Sequence, residues 1–354
     1  MILPYFDTEA ISKLIEYIDY CKINHKSIIV LCDNHTLNDC LPVLEKHIPF
    51  PFIDKVLSIP FGEEHKNLET VSNLWKQLLD SNIHRNAVLI SLGGGVVCDL
   101  GGFVATTFKR GIGSVLIPTS LMAQVDAAIG GKTGFNFRQA KNQIGLFNQS
   151  DNIFIISEFI KTLTEREVLS GFAEMLKHGL IADASHWNEL ITINSPSQII
   201  QPQWIKRSVE IKTSICTIDP YEQNERKKLN FGHTIGHALE SYFMTETKSL
   251  SHGEAIILGM LAESYISFLK RLINGKELIC ITNTFQQFFP TLDIKEINIF
   301  TFLYYLLKDK KKTEESMNFT LLDAIGDAVV NQSVTEDEII LSLEYIDKTF
   351  KNRQ

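Results

Sequence analysis

The chain has 354 residues, 44% hydrophobic and 21% charged, with a formal net charge of −8. That length and balance exclude disordered, collagen-like and low-complexity classes and give room for about two domains around a large core. The acidic excess argues against general nucleic-acid binding while permitting a local basic pocket.

Cysteines at 21, 32, 40, 98, 216 and 280 form no CxxC pair and no zinc-ribbon spacing, which reads as thiols in a reducing compartment. The first residues, MILPYFDTEA, carry no basic segment ahead of an apolar run. No window approaches ~18 uncharged apolar residues. The expectation is a cytoplasmic protein with neither signal peptide nor membrane span.

In chain order, apolar runs bounded by turn residues predict buried strands at Ser27–Asp33, Asn86–Leu92, Ser114–Pro118 and Asn152–Ile156. Val71, Leu74, Leu78 and Leu79 recur at helical spacing and predict a helix over 68–81. Strand–helix alternation implies a mostly parallel sheet covered by helices. From residue 158 the pattern changes. Thr164 with Glu167 three positions on marks a helix start. Long helical patterns follow at 165–183, 197–217, 230–244 and 252–272, and Phe319–Leu322 is the clearest strand. No repeat and no Pro-, Gly- or Ser-rich linker is visible. The predicted division is an α/β domain over 1–157 and a mainly α-helical domain over 158–354, closely packed around a ligand cleft.

Chemistry-bearing residues cluster in three places. The segment Gly93–Gly102 (GGGVVCDLGG) follows a strand and opens a helix, where glycines admit a phosphate to the helix N-terminus. It has neither the GxGxxG nor the Walker spacing, so alone it also fits a tight strand-to-helix turn. In Asp126–Gly134 (DAAIGGKTG), followed by Lys141 and Asn142, a lysine between glycines can reach an anion. Taken singly, each such lysine reads as a solvated loop residue.

The third cluster holds His233, His237 and His252. His233 and His237, four apart, share a helix face that Gly232 and Gly236 are expected to keep open, and His252-Gly-Glu254 starts the next helix. Upstream, Glu174 and Lys177 share another helix face. Histidines plus a carboxylate are a frequent zinc set, and the absence of HExxH rules out a thermolysin-like site. One lone histidine would more often be a hydrogen-bonded core residue. Lys177, Lys212, Arg226 and the run Lys308–Lys312, joined with a metal, would suit a substrate carrying both carboxylate and phosphate. The residues alone point to a two-domain enzyme with a nucleotide-like site, a divalent metal and a multiply anionic substrate.

At these motifs the chain resembles the 3-dehydroquinate synthases of the sugar-phosphate cyclase superfamily, nearly end to end. The matching segments are GEEHKNLETVSNLW at 62–75, GGGVVCDLGGFVATTFKRG at 93–111, PTSLMAQVDAAIGGKTGFN at 118–136, KNQIGLF at 141–147, GFAEMLKHGLIAD at 171–183, LNFGHTIGHALE at 229–240 and HGEA at 252–255. The resemblance implies a Rossmann-like NAD-binding domain, a mainly α-helical C-terminal domain and zinc, or cobalt in its place, in the cleft. It implies Glu174, His233 and His252 as metal ligands, with His237 near the metal but not on it. The implied NAD contacts are Asp33, Asn34, Glu63, Lys66, Gly94, Gly95, Asp99, Thr119, Ser120, Lys132, Lys141 and Thr162. Asp33, at the end of a strand, suits ribose hydroxyls.

The substrate implied is 3-deoxy-D-arabino-heptulosonate 7-phosphate. The family oxidises a ring hydroxyl with NAD, eliminates phosphate, re-reduces the ketone, opens the ring and closes a carbocycle by an aldol step. By the same resemblance Lys132, Asn142 and Arg110 hold the phosphate, Arg110 reaching in from the partner of a homodimer. Lys212, Arg226 and Asn230 hold the carboxylate. Asp126, Lys177 and His237 line the reacting ring, and Lys310 or Lys311 adds a late phosphate contact.

Two loops depart from the family pattern. Asn148-Gln149-Ser150 stands where a proline is frequent, and 313–318 lacks the usual glycine. Neither touches an implied ligand. Competing expectations are a related cyclase acting on another sugar phosphate, a polyol dehydrogenase and a catalytically silent scaffold. Lys212, Arg226 and Asn230 favour the carboxylated substrate over the first, the GGKTG and KNxIG motifs oppose the second, and retention of all implied ligands opposes the third.

Overall fold

The protein is described by a computed structural model covering residues 2–138, 140–243, 249–290, 292, 297–309 and 317–351. Contacts divide the chain into two units, 1–168 and 169–354.

The first unit is built on six strands: β1 (Tyr5–Phe6), β2 (Ser27–Asp33), β3 (Lys55–Ile59), β4 (Ala87–Gly93), β5 (Gly113–Pro118) and, after the ribbon β6 (Lys132–Phe137) and β7 (Ala140–Phe147), β8 (Asn152–Ile155). Their spatial order is β1-β8-β5-β4-β2-β3, and every pair is parallel. Alternate residues of β2 serve two cores, as the two-residue strand period requires. Ile28, Val30 and Cys32 join Leu14 and Ile18 of the helix Asp7–Ile23. Ile29 and Leu31 join Val71, Leu74 and Leu78 of the helix Leu68–Asp80. A sheet covered on both faces explains the uninterrupted apolar strands.

The chain runs from β2 outward to β3, then returns across β2 to β4. That reversal makes the carboxyl ends of β2 and β4 the topological switch point, the place where open α/β sheets bind ligands. Asp33 ends β2 and Gly93 ends β4. β6 and β7 pair antiparallel outside this sheet. They approach closely because Gly134 faces Gly145, and a Cβ on Gly134 would lie 2.4 Å from the Ile144 carbonyl.

The second unit is mainly helical, with one antiparallel hairpin, β9 (Met317–Ala324) and β10 (Asp327–Val334), turned at Gly326 with φ 99°. The helix Glu165–Ala182 starts on a reciprocal cap: Thr164 N donates to Glu167 Oε2 at 2.8 Å and Glu167 N to Thr164 Oγ at 3.4 Å. The pattern read as one helix over 197–217 is two, Pro196–Ile199 and Pro202–Ile218, because Pro202 cannot continue the first. That read over 230–244 is the helix His233–Phe243, preceded by the 3-10 turn Glu225–Asn230.

The glycines beside the histidines do not hold a face open. A Cβ on Gly259 would lie 1.9 Å from the Gly232 carbonyl, and one on Gly236 2.9 Å from the Ala255 carbonyl. They let the helices His233–Phe243 and His252–Leu269 touch backbone to backbone.

No helix among the described residues is long and apolar enough to cross a membrane. No disulfide joins the six cysteines, five of which are buried. Burial pushes the Cys32 thiol up to about 12 and that of Cys40 to about 11.

Candidate active site

In the second unit, three elements deliver one cluster. The helix Glu165–Ala182 carries Glu174 and, one turn on, Lys177, both fully buried. His233 opens its helix, and His252 opens the next, capped by the Ser251/Glu254 box. Glu174 divides its oxygens. Oε2 pairs with the Lys177 ammonium, while Oε1 faces His252 Nε2 at 3.3 Å and His233 Nε2 at 3.7 Å.

The His233 ring is oriented from behind. Its Nδ1 donates to the Phe231 carbonyl at 3.1 Å, which fixes the tautomer and leaves the Nε2 lone pair toward Glu174. The ligand atoms of Glu174, His233 and His252 all lie within 4.8 Å of one another. A tetrahedral ion with ligands at ~2.0–2.1 Å sets its donors ~3.3 Å apart, so this set fits a divalent metal and leaves room for a substrate oxygen. His237, four residues after His233, lies beside the set, its ring 5.1 Å from His233 and 6.0 Å from His252.

For Glu174 and His233 the electrostatics agree with that use. Burial alone would raise the Glu174 carboxyl, but Lys177 and the two imidazoles outweigh it and hold the carboxyl well below its ordinary range. Burial and the Lys177 charge push His233 well below its ordinary value, so it stays a neutral donor. Burial opposes protonation of His252 as well, yet Glu174 and Glu240 raise it to about 9.

The expected carboxylate-binding residues also lie in this unit. Lys212 and Arg226 are buried, and burying cations is costly unless anions balance them. Arg226 is set by a loop wound on Asp219, whose carboxylate accepts the amides of Gln223, Asn224 and Arg226 at 3.0, 2.6 and 3.1 Å. The Arg226 guanidinium donates to the Pro220 carbonyl at 2.7 Å, and Asn230 donates to Glu222 Oε1 at 2.7 Å.

In the first unit, the switch point carries Asp33, Asn34, Gly94 and Gly95 of the expected NAD residues. Asp33 Oδ1 caps the helix Asn34–Asp39 through the amides of His35 and Thr36 at 2.9 and 2.8 Å, and Asn34 Oδ1 accepts Phe61 N at 2.6 Å. Gly94 caps the helix Gly95–Thr107; a Cβ there would meet only Ser120, with Oγ at 3.4 Å. This backbone is open to a phosphate at a helix N-terminus, so these residues fit a dinucleotide. Thr119 N donates to the Gly93 carbonyl at 2.9 Å, and Ser120 Oγ accepts Ala123 N at 3.2 Å, starting the π turn that carries half-buried Asp126.

A chain of contacts running from buried Lys66 out to exposed Asn142 joins further candidates. Lys66 Nζ donates to Asp99 Oδ2 and to Asn142 Oδ1, both at 2.6 Å. Asn142 N donates to Asn136 Oδ1 at 2.9 Å, and Asn136 in turn donates to Glu63 Oε1 at 2.8 Å. Lys132, Arg110 and Thr162 are exposed and Lys141 half-buried. Arg110 sits at φ 64°, between Lys109 at φ 50° and Gly111 at φ 113°. Lys310, Lys311 and Lys312 lie outside the described residues.

Residues 56–170 match the family profile described as 3-dehydroquinate synthase N-terminal, and residues 171–312 match the one described as its C-terminal part. The 3-dehydroquinate synthase of Parabacteroides distasonis is 37% identical over 330 residues, 93% of either chain. The chain belongs to the 3-dehydroquinate synthase family. That of Pelagibacter ubique is 37% identical over 87% of this chain and 88% of its own. Among solved structures, the fold superposes with TM-score 0.83 on a 2-epi-5-epi-valiolone synthase from Streptomyces hygroscopicus subsp. jinggangensis with NAD+ and Zn2+ bound. That structure is 27% identical over 91% of each chain.

Three residues of this family member that motif reading passed over shape the site. Asn136 relays between Glu63 and Asn142, although only its place in the TGFN run marked it. Glu240 faces the back of His252, and Glu263 caps the helix that begins at His233. Both are carboxylates on otherwise apolar helix stretches, a signal visible in the sequence as a charge where the periodicity demands burial.

Proposed function

We propose that this chain converts 3-deoxy-D-arabino-heptulosonate 7-phosphate to 3-dehydroquinate and phosphate in the shikimate pathway, a carbon–oxygen lyase using NAD catalytically with a divalent metal, zinc or cobalt. The observation that carries this reading is Glu174 Oε1 facing both His233 Nε2 and His252 Nε2 while Lys177 neutralises Oε2. When bound, NAD supplies a reversible hydride acceptor and the metal polarises the hydroxyl being oxidised.

The chain's own residues supply the rest. Glu174, His233 and His252 would hold the metal. Asp33, Asn34, Glu63, Lys66, Gly94, Gly95, Asp99, Thr119, Ser120, Lys132, Lys141 and Thr162 would hold NAD. Lys212, Arg226 and Asn230 would fix the substrate carboxylate, and Lys132, Asn142 and Arg110 its phosphate. Lys177, His237 and Asp126 would orient the ring and move protons, with the Lys177 ammonium held against Glu174 Oε2. Anchoring both anionic ends lets binding energy position the reacting carbons.

The division into an NAD-binding domain over 1–157 and a metal- and substrate-binding domain over 158–354 belongs to the same reading. So do a cytoplasmic location and a homodimer whose partner contributes Arg110. Exposed Phe137, Ile144, Leu146 and Phe147 on the β6–β7 ribbon support a self-associating surface.

The test is incubation of purified protein with the heptulosonate phosphate, catalytic NAD and zinc. Equal amounts of phosphate and 3-dehydroquinate, without net NADH and with loss on chelation, are expected. Folded, metal-loaded protein that releases phosphate only from sedoheptulose 7-phosphate or glucose 6-phosphate would move the activity to a related cyclase.

A further inference from the structure

Both histidines of the proposed metal set present Nε2 to the same oxygen of Glu174, at 3.3 Å for His252 and 3.7 Å for His233. A ring held only at Nε2 can still swing about its Cβ–Cγ bond, so each needs a second contact at Nδ1. For His233 that contact is the Phe231 carbonyl at 3.1 Å. For His252, Nδ1 faces Glu240 Oε2 at 3.7 Å. Glu240 is buried and lies on the helix His233–Phe243, seven residues after His233 and three after His237, on the same face.

We infer that Glu240 is a positioning residue for the metal centre: its carboxylate accepts from Nδ1–H of His252 and so aims Nε2 at the ion. This inference rests on the metal reading above. A carboxylate behind a ligating imidazole fixes its tautomer and raises its basicity, and losing such a partner costs ~10–100-fold in metal affinity. One helix then supplies both a ligand, His233, and the device that orients a ligand of its neighbour. The two helices are pinned backbone to backbone at Gly232, Gly236 and Gly259, which keeps Glu240 in register with His252.

The experiment measures Co2+ affinity of the full chain by competition with a chromophoric chelator, and records the visible Co2+ spectrum, for the wild type, E240M, E240A and E240Q. E240M and E240A are expected to bind ~10–100-fold more weakly with a shifted spectrum. E240Q keeps an acceptor oxygen and is expected to recover most of the affinity, which a purely structural role would not produce. E240A carries the test if E240M fails to fold. Wild-type affinity and spectrum in both E240M and E240A would overturn the role of Glu240. A wild-type chain that takes up no Co2+ would overturn the metal reading itself.

Discussion

The Glu263 carboxylate, buried in the helix His252–Leu269, accepts the Gly232 amide at 2.6 Å just ahead of His233. Its other oxygen accepts Ile235 N at 3.2 Å. The helices that open at His233 and His252 are therefore joined by a side chain of one capping the N-terminus of the other, where a negative charge is also favoured by the helix dipole. Replacing Glu263 by alanine strands two buried amides, each worth ~1–3 kcal/mol. E263A is expected to lose about 2–6 kcal/mol in urea unfolding and to bind Co2+ more weakly through a displaced His233. Stability within about 0.5 kcal/mol of wild type would show the cap to be dispensable.

Gly259 tests the close approach itself. Its missing Cβ would fall 1.9 Å from the Gly232 carbonyl, backbone that cannot rotate away. G259A must push the two helices apart, separating His233 from His252. The expected cost is ~1–3 kcal/mol for overpacking. Metal uptake should fall as well, read by zinc content after dialysis. A variant with normal zinc content and normal melting temperature would mean that the interface yields without moving the histidines.

The sheet was legible because it obeys one rule. Ser27–Asp33 and Ala87–Gly93 are buried on both faces, and continuous apolar runs write that directly. β3 was missed because it is an edge strand with one polar face, and β10, DAVVNQSV, because only two of its eight residues are buried. The site's histidines were visible by spacing, and the ligand choice among them came from family likeness. What spacing cannot give is the function of Gly232 and Gly236. They were expected to open a face and instead close a helix contact, since a glycine reads alike whether solvent or a neighbouring backbone fills its Cβ position. Glu263 and Glu240 act across helices, and only the fold brings them to their partners.

Lys66 offers a test confined to the first unit. Its ammonium, 6% exposed, bridges Asp99 and Asn142 at 2.6 Å each. K66M removes charge-assisted contacts of ~1.5–3 kcal/mol, or roughly a 10–150-fold effect on a binding constant if ordering of that loop serves the dinucleotide. NAD binding, followed by quenching of intrinsic fluorescence, is expected to weaken by that factor while zinc content stays at wild type. Unchanged NAD affinity would remove Lys66 and its network from the cofactor site.

His186 gives the pH prediction. It is buried in the helix Ala184–Leu190, with Nε2 2.9 Å from Ser208 Oγ. Burial pushes its pKa from 6.5 down to about 4, against the opposing pull of Asp183. Above pH 6.5 the ring is neutral whether the chain is folded or not, and contributes nothing to the pH dependence. Between 6.5 and about 4 the unfolded chain takes up a proton that the folded one refuses, so stability falls as pH falls. Below about 4 both forms are protonated and the loss levels off. The full effect is about 3 kcal/mol, from 1.36 kcal/mol per pKa unit. H186Q can keep a hydrogen bond to Ser208 and has no proton to bind. The stability difference between wild type and H186Q, measured by urea unfolding at successive pH values, should therefore shift against the wild type across that window. A difference independent of pH would mean that the folded protein accommodates the charged ring.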